Sequence, residues 1–114
     1  MGTRTKPAGC CEPRRVKPLP GGTSKSIAAV ARALSDPTRI EILRLLAGQN
    51  GALCACDIVE PMSLSQPTVS HHLRVLKEAG LVSSSKSGLW VFYEANPKAV
   101  GAIDTLAGLG GAKA

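Results

Sequence analysis

A helix that is capped by Ser65 and extends to about Ala79, with Gly80 as its stop, is the feature that most constrains the fold of this 114-residue chain. Serine is a favourable N-cap residue, and glycine is common directly after the last turn of a helix. A shorter helix is predicted over residues 56–62, just before this one. The apolar residues of the longer helix recur on one face, which predicts that this face is buried. They are Val69, Leu73 and Leu76.

A β-prone segment follows the glycine and predicts a hairpin over residues 81–95, with its turn at residues 86–88. The order of short helix, tight turn, longer helix and hairpin predicts a winged helix-turn-helix. This is a mainly α fold with a small β-hairpin as its wing.

Cap residues place the other helices. Asp36-Pro37 and Asn96-Pro97 are typical helix starts, Ser24 is the predicted cap of a first helix, and Leu53 begins a short extended segment. The last helix has an apolar face but little core left to join in so short a chain, which predicts a homodimer. The apolar residues are Ile27, Val30, Ala31 and Leu34 in the first helix, and Val100, Ile103, Leu106 and Ala107 in the last.

The composition narrows the classes of partner. A net charge of +6 favours a polyanion. The three aromatic residues, Trp90, Phe92 and Tyr93, fall in one segment, which argues against the stacking surfaces of single-strand or RNA binders. No apolar run approaches the ~20 residues of a membrane span, and the N-terminus lacks a secretion signal. The chain is therefore expected to be cytoplasmic, where thiols stay reduced, so its four cysteines predict metal binding more than disulfides.

The longer helix has the residues of a DNA-reading element. Its first turn offers short hydrogen-bonding side chains suited to base edges and phosphates, and its exposed face continues with a histidine and an arginine. A lysine at the hairpin tip can reach a neighbouring phosphate. The alternative is an ordinary amphipathic helix with a solvated polar face. The predicted DNA-contact residues are Gln66, Thr68, Ser70, His71, Arg74 and Lys86.

Cys54 and Cys56 form a candidate site for a soft metal ion. Side chains at i and i+2 point apart in a regular helix, but at a frayed helix start they can converge, and the helix N-terminus favours thiolate. Further ligands must come from Cys10 and Cys11 on the N-terminal arm. Three thiolates suit trivalent arsenic or antimony, whereas four suit cadmium, lead or zinc. The alternatives are two small buried residues at 54 and 56 and a functionless pair on the arm.

These motifs together resemble the ArsR/SmtB family of metal-sensing winged-helix repressors. The resemblance covers residues 25–100 and is carried by ALSDPTRIEILRLL (33–46), ALCACDI (52–58), SLSQPTVSHHLRVLKEAGLV (63–82) and GLWVFYEA (88–95). It implies a homodimer that binds palindromic double-stranded operator DNA and leaves it when metal binds. The chain departs from the family at Leu89, where a second basic wing residue is frequent. Asp104 lacks the nearby histidine of the family's zinc site on the last helix.

The resemblance also suggests an inducer. LCACD resembles the LCVCD of arsenic-responsive members, and the adjacent arm cysteines resemble those of arsenic sensors, so a repressor for arsenical resistance released by As(III) or Sb(III) is expected. Cadmium and lead sensors also combine an arm pair with C-x-C, so a four-thiolate site for Cd(II) or Pb(II) stays open. A thiol redox or persulfide sensor on the same scaffold is the other alternative.

Two other classes of protein, metallochaperones and enzymes, do not account for the features of this sequence. A metallochaperone would not need the helix or the hairpin, and no Cys-His or Ser-His-carboxylate arrangement indicates an enzyme. The predicted organisation is a flexible basic arm over residues 1–23, a DNA-binding and dimerisation domain over residues 24–109, and a disordered tail over residues 110–114.

Overall fold

The computed structural model describes residues 15–110. Within this range five helices surround a small antiparallel sheet, and residues 15–22 precede the first helix without regular secondary structure. In chain order the elements are α1 (Thr23–Ala33), α2 (Pro37–Ala47), β1 (Leu53–Cys54), α3 (Ala55–Met62), α4 (Gln66–Glu78), β2 (Val82–Ser87), β3 (Trp90–Ala95) and α5 (Pro97–Leu109). The predicted winged helix-turn-helix is confirmed.

Side-chain caps start three of the helices where the sequence predicts them. The Thr38 backbone N–H donates to Asp36 Oδ1 at 2.8 Å, and the Lys98 N–H donates to Asn96 Oδ1 at 3.0 Å. Ser65 Oγ accepts from the Thr68 N–H at 3.3 Å. Each cap satisfies a donor that the first helical turn leaves free, so local chemistry is enough to fix these boundaries.

The sheet differs from the predicted two-stranded hairpin. Its strand order is β1-β3-β2, so the two residues of β1 add a third strand, with Cys54 paired to Phe92. The hairpin turn also lies further along than predicted, at Gly88 and Leu89, because Gly88 takes the left-handed φ of +62° that a tight turn needs. Lys86 is therefore a strand residue paired with Val91 and does not lie at the tip.

Two further predictions, both on the first helix, need correction. The helix α1 begins at Thr23 with Gly22 as its cap, instead of starting from Ser24. Its buried residue is Ala33, whereas Ile27 on the predicted apolar face is 63% exposed. The helix predicted over residues 56–62 is observed as α3, with Pro61 inside its last turn.

The core lies between α2, α3 and α4 and beneath the start of β2. Its largest fully buried side chains come from these three helices and include the whole predicted face of α4. They are Ile42, Leu43, Ile58, Val69, Leu73 and Leu76. This packing holds α3 against α4, so a change at the start of α3 can be transmitted to the longer helix. No helix in residues 15–110 is long and apolar enough to span a bilayer.

Arg39 joins α2 to the end of α1. Its Nε donates to the Ala33 carbonyl at 2.7 Å, its Nη2 donates to the Arg32 carbonyl at 3.1 Å, and its Nη1 lies 3.4 Å from Asp36 Oδ2. Its side chain is only 14% exposed. The guanidinium therefore ties α2 to the last turn of α1: it donates to the Ala33 carbonyl, and it shares the Arg32 carbonyl with the backbone N–H and hydroxyl of Ser35.

We expect Arg39→Ala to lower the free energy of unfolding by about 2–3 kcal/mol, because it leaves these carbonyls without their charged donor. Arg44→Ala is the matched control, since Arg44 lies on the same helix and also pairs with an acid three residues away, Glu41. Both partners of that pair are more than half exposed, so its loss should cost below about 0.5 kcal/mol. Urea unfolding measures both variants, and equal losses would contradict the role given to Arg39.

Candidate metal and nucleic-acid sites

The end of β1 and the first turn of α3 bring the two cysteines together. Cys54 is the N-cap of α3 in an extended conformation, and Cys56 lies in the first helical turn. This change of backbone conformation lets side chains at i and i+2 converge, and the structure joins their sulfur atoms as a disulfide. Cys54 is buried at 7% exposure, whereas Cys56 faces solvent.

Asp57 belongs to the same cluster, which sequence reasoning did not include among the candidate ligands. The ligand atoms of Cys54, Cys56 and Asp57 all lie within 4.8 Å of one another. Asp57 Oδ2 also accepts the Cys54 backbone N–H at 3.0 Å. The sequence feature that could have indicated a role for Asp57 is its position three residues after a helix N-cap, which is the spacing of a capping box.

Once the disulfide is reduced to two thiols, the donor set of this cluster suits a soft ion. Thiolates select soft metals and arsenic over magnesium or calcium, and a carboxylate oxygen is a weaker third donor for such an ion. Within residues 15–110 the structure brings together two sulfurs and no third. The other two predicted ligands, Cys10 and Cys11, lie outside the described residues, as do most of the predicted arm and of the predicted tail.

The predicted DNA-contact residues form an exposed surface on α4. Gln66, Thr68, His71 and Arg74 are exposed and Ser70 is half-buried, whereas the predicted apolar face of the same helix is buried. The Thr68 Oγ1 lies 2.8 Å from the cap oxygen of Ser65, so this hydroxyl supports the start of α4. Lys86 is exposed on β2 near the hairpin turn.

A shallow groove connects the cysteine cluster to α4. Cys54 and Cys56 form one side, Gln66 and Ser70 of α4 form another, and Trp90 of β3 forms part of the third. Its volume is about 270 Å³. No motif in the sequence indicates that the cysteine pair and the start of α4 border the same groove, because the pairing of β1 with β3 brings these segments together.

His72 is half-buried, and its Nδ1 is buried without a hydrogen-bond partner among residues 15–110. Burial lowers the pKa of His72 below its ordinary value of 6.5, against the opposing effect of Asp36. Asp36 itself has a lowered pKa, caused mainly by the Thr38 N–H and assisted by Arg39. The folded state therefore favours neutral His72 and ionised Asp36.

We expect stability to fall as the pH drops below the ordinary pKa of histidine. In that range the unfolded chain binds a proton at residue 72 more readily than the folded chain does, so acid favours unfolding. Asp36 lowers the free energy of unfolding further only in stronger acid, where its carboxylate becomes protonated. Urea midpoints measured between about pH 5 and pH 7 should fall less steeply in His72→Gln. His71→Gln is the control, because His71 is exposed; an unchanged slope in His72→Gln would contradict this account.

Comparison with known proteins identifies the family. Residues 36–84 match the sequence profile of the family described as bacterial regulatory protein, arsR family. The arsenic resistance transcriptional regulator ArsR1 of Pseudomonas putida is 35% identical over 94 residues, which are 80% of this chain and 73% of that protein. This chain belongs to the ArsR family. An arsenical resistance operon repressor of Staphylococcus xylosus is 44% identical over 72 residues, or 63% of this chain and 67% of that protein.

A solved structure agrees with this assignment. The homodimeric winged helix-turn-helix DNA-binding domain of a possible ArsR-family regulator from Mycobacterium bovis superimposes with a TM-score of 0.64 and 28% identity. The match covers 75% of this chain and 78% of that chain. Members of the ArsR family and the relatives above are transcriptional regulators, so the prediction that this chain is not an enzyme is confirmed.

Proposed function

We propose that this ArsR-family protein is a homodimeric repressor that leaves its operator when trivalent arsenic or antimony binds Cys54 and Cys56. The observation that carries the proposal is the convergence of these two sulfurs at the start of α3, beside the first turn of α4. The third thiolate comes from Cys10 or Cys11. Relatives named for arsenic and arsenical resistance support the choice of ion.

In the proposed complex, α4 enters the major groove of the operator. Its exposed polar residues, Gln66 to Arg74, contact base edges and phosphates, and its N-terminus favours a phosphate. Lys86 on the wing strand contacts the backbone of the flanking DNA. Leu89 at the turn is 98% exposed and uncharged, so the wing is expected to add less electrostatic affinity than a basic tip would.

The proposed dimer uses apolar surface that the single chain leaves open. Ile27 on α1 is 63% exposed, and Leu106 and Leu109 on α5 are 53% and 80% exposed. Burying such residues between two copies is favourable, and a two-fold pair places two α4 helices ~34 Å apart for successive major grooves. The homodimeric relative of known structure supports this arrangement.

DNA is released because the bound ion and the first turn of α3 require different positions of Cys54 and Cys56. Holding both sulfurs and an arm thiolate around one ion fixes Cys54 and Cys56 in a geometry set by the ion. The Cys54 N–H and Asp57 hydrogen bond that begins α3 must then adjust, and α3 supports α4 through the shared core. A tilt of α4 in each subunit changes the distance between the two α4 helices of the dimer, so that they no longer fit successive major grooves. A coupling of ~3 kcal/mol weakens DNA binding more than a hundredfold.

Two alternatives use the same scaffold. A repressor that uses both arm cysteines would have four thiolates and respond to Cd(II) or Pb(II). A redox-responsive repressor is favoured by the disulfide that the structure places between Cys54 and Cys56. With hydrogen peroxide as oxidant, the two thiols would become one disulfide while the peroxide is reduced to two water molecules.

One titration separates the three functions. Reduced protein is bound to labelled DNA from upstream of its own gene, and arsenite, cadmium and hydrogen peroxide are added in separate experiments while fluorescence anisotropy is followed. Release by arsenite near one equivalent per subunit supports the proposal. Release by cadmium alone supports the four-thiolate site, release by peroxide alone supports the redox function, and retention with all three contradicts every form of thiol control.

A further inference from the structure

The tip of the hairpin (residues 88–90) carries two adjacent apolar side chains that the folded chain leaves uncovered. Gly88 and Leu89 form the turn between β2 and β3, and Trp90 opens β3 opposite Ser87. Leu89 is 98% exposed and Trp90 is 60% exposed. Covering large apolar side chains in a complex is favourable. The hairpin tip is therefore a candidate contact surface.

The surroundings of the hairpin tip favour DNA as its partner. Leu89 and Trp90 border the same groove as Gln66 and Ser70 at the start of α4. These two residues of α4 belong to the proposed DNA-contact surface, and Gln66 is exposed. DNA that lies on the start of α4 therefore passes beside the hairpin tip.

The charges on the hairpin also fit a polyanion. From residue 81 to residue 93 the chain has one basic residue, Lys86, and no acidic residue. Lys86 is exposed, as are Ser85 and Ser87 on either side of it. Amino and hydroxyl groups of this kind donate hydrogen bonds to phosphates. The apolar tip can thus approach the DNA backbone without repulsion from a carboxylate.

A single side chain of this tip has the right size and chemistry to enter DNA. The minor groove of B-DNA is ~6 Å wide and excludes a helix, but it admits a side chain that projects from a turn. Leucine is among the apolar residues that proteins insert there between neighbouring base pairs, which bends the duplex toward the major groove. Among residues 15–110, Leu89 is the most exposed large apolar residue.

We propose that Leu89 enters the minor groove next to the major-groove segment that α4 occupies, and wedges between two base pairs there. Trp90 covers the adjoining sugars. The wedge bends the operator in each half-site, so Leu89 determines affinity and bending although it reads no base by hydrogen bonding. This inference rests on the proposed function, because it requires α4 to lie in the major groove.

The test measures bending and affinity on one DNA. Reduced full-length protein is added to DNA from upstream of its own gene, which carries a fluorophore pair at its ends, and FRET and anisotropy are followed. Wild type should bend the DNA by about 20–90° and raise the FRET efficiency. Leu89→Ala should bind about tenfold more weakly and, at saturating protein, lose most of the rise in FRET.

Two further variants separate the wedge from other effects. Leu19→Ala removes the same side chain, 87% exposed, from the segment before α1, and it should bind and bend DNA as wild type does. Lys86→Ala should reduce the salt dependence of binding, because it loses a phosphate contact. Leu89→Ala should keep the salt dependence of wild type, because it loses no charge.

Inosine tests whether the wedge lies in the minor groove. An inosine–cytosine pair keeps the major-groove acceptors of a guanine–cytosine pair but lacks the guanine amino group, which protrudes into the minor groove and obstructs a wedge. The contacted step is found by comparing hydroxyl-radical cleavage of DNA bound to wild type and to Leu89→Ala. Inosine in place of guanine at that step should strengthen binding by wild type and leave binding by Leu89→Ala unchanged.

The outcomes distinguish this inference from the proposed function. If wild type binds the DNA without bending it, or if Leu89→Ala binds and bends it as wild type does, the hairpin tip serves another partner and the inference is overturned. The proposed function then still stands, because it needs only α4 in the major groove. If wild type does not bind the DNA, the proposed function fails and the inference fails with it.

Discussion

Serine at Cys54 or Cys56 is expected to leave operator affinity nearly unchanged and to abolish release by arsenite. Each substitution removes one of the two sulfurs that converge at the start of α3, and a hydroxyl is a poor ligand for a soft ion. Each variant is expected to lose the whole coupling between arsenite binding and DNA binding. Arsenite should therefore weaken operator binding more than a hundredfold in the wild type, but change the operator affinity of the variants by less than about twofold. Anisotropy titrations with and without arsenite measure this directly.

Ala55→Ser is the matched control for these variants. It adds a hydroxyl between the two cysteines, at the first residue of α3, and removes no sulfur. It should therefore bind DNA and respond to arsenite as wild type does. If arsenite still releases DNA normally from both the Cys54→Ser and the Cys56→Ser variant, the controlling site lies elsewhere in the chain.

Arg74→Ala is expected to weaken operator binding by about tenfold to a hundredfold for each half-site. Arg74 is exposed on α4, whereas its neighbour Leu73 is fully buried, and the proposed complex places a phosphate or a base edge at Arg74. Loss of a phosphate contact would weaken all DNA sequences alike and reduce the salt dependence, whereas loss of a base contact would relax the specificity at one position. Binding measured against operator and scrambled DNA, at several salt concentrations, distinguishes the two.

Arg44→Ala is the control for charge. It removes the same unit of positive charge from an exposed site on α2, in the groove next to α5 and away from the exposed face of α4. Its effect on DNA binding should stay within about twofold, since charges beyond a Debye length are screened. Equal effects of the two substitutions would show that Arg74 acts through net charge and not through contact.

The parts of the fold that local chemistry determines could be predicted from the sequence. Asp36, Ser65 and Asn96 each cap a helix through a hydrogen bond to a backbone N–H two or three residues later, so short motifs were enough. The buried face of α4 was also predicted correctly, because its large apolar residues recur along one stripe of the helix and the other faces carry mainly polar residues.

The parts that depend on distant packing could not be predicted in this way. Ile27 and Ala33 are both apolar residues of α1, and only the position of α1 on the core decides that Ala33 is buried. The third strand joins residues far apart in sequence, with Leu53 paired to Tyr93, and neither residue signals the other. For the same reason the position of Trp90 beside the cysteine pair had no signature in the sequence. The convergence of Cys54 and Cys56 was expected from the helix start, and their role as ligands stays a prediction.

The central claim is that ion binding at the cysteine pair and operator binding oppose each other, and linkage gives the most direct measurement of it. The affinity of the reduced protein for arsenite is measured by equilibrium dialysis, first alone and then with saturating operator DNA. Because coupling is reciprocal, DNA should weaken arsenite binding by the same factor, more than about a hundredfold, by which arsenite weakens DNA binding. An arsenite affinity that does not change when DNA is added would contradict the claim.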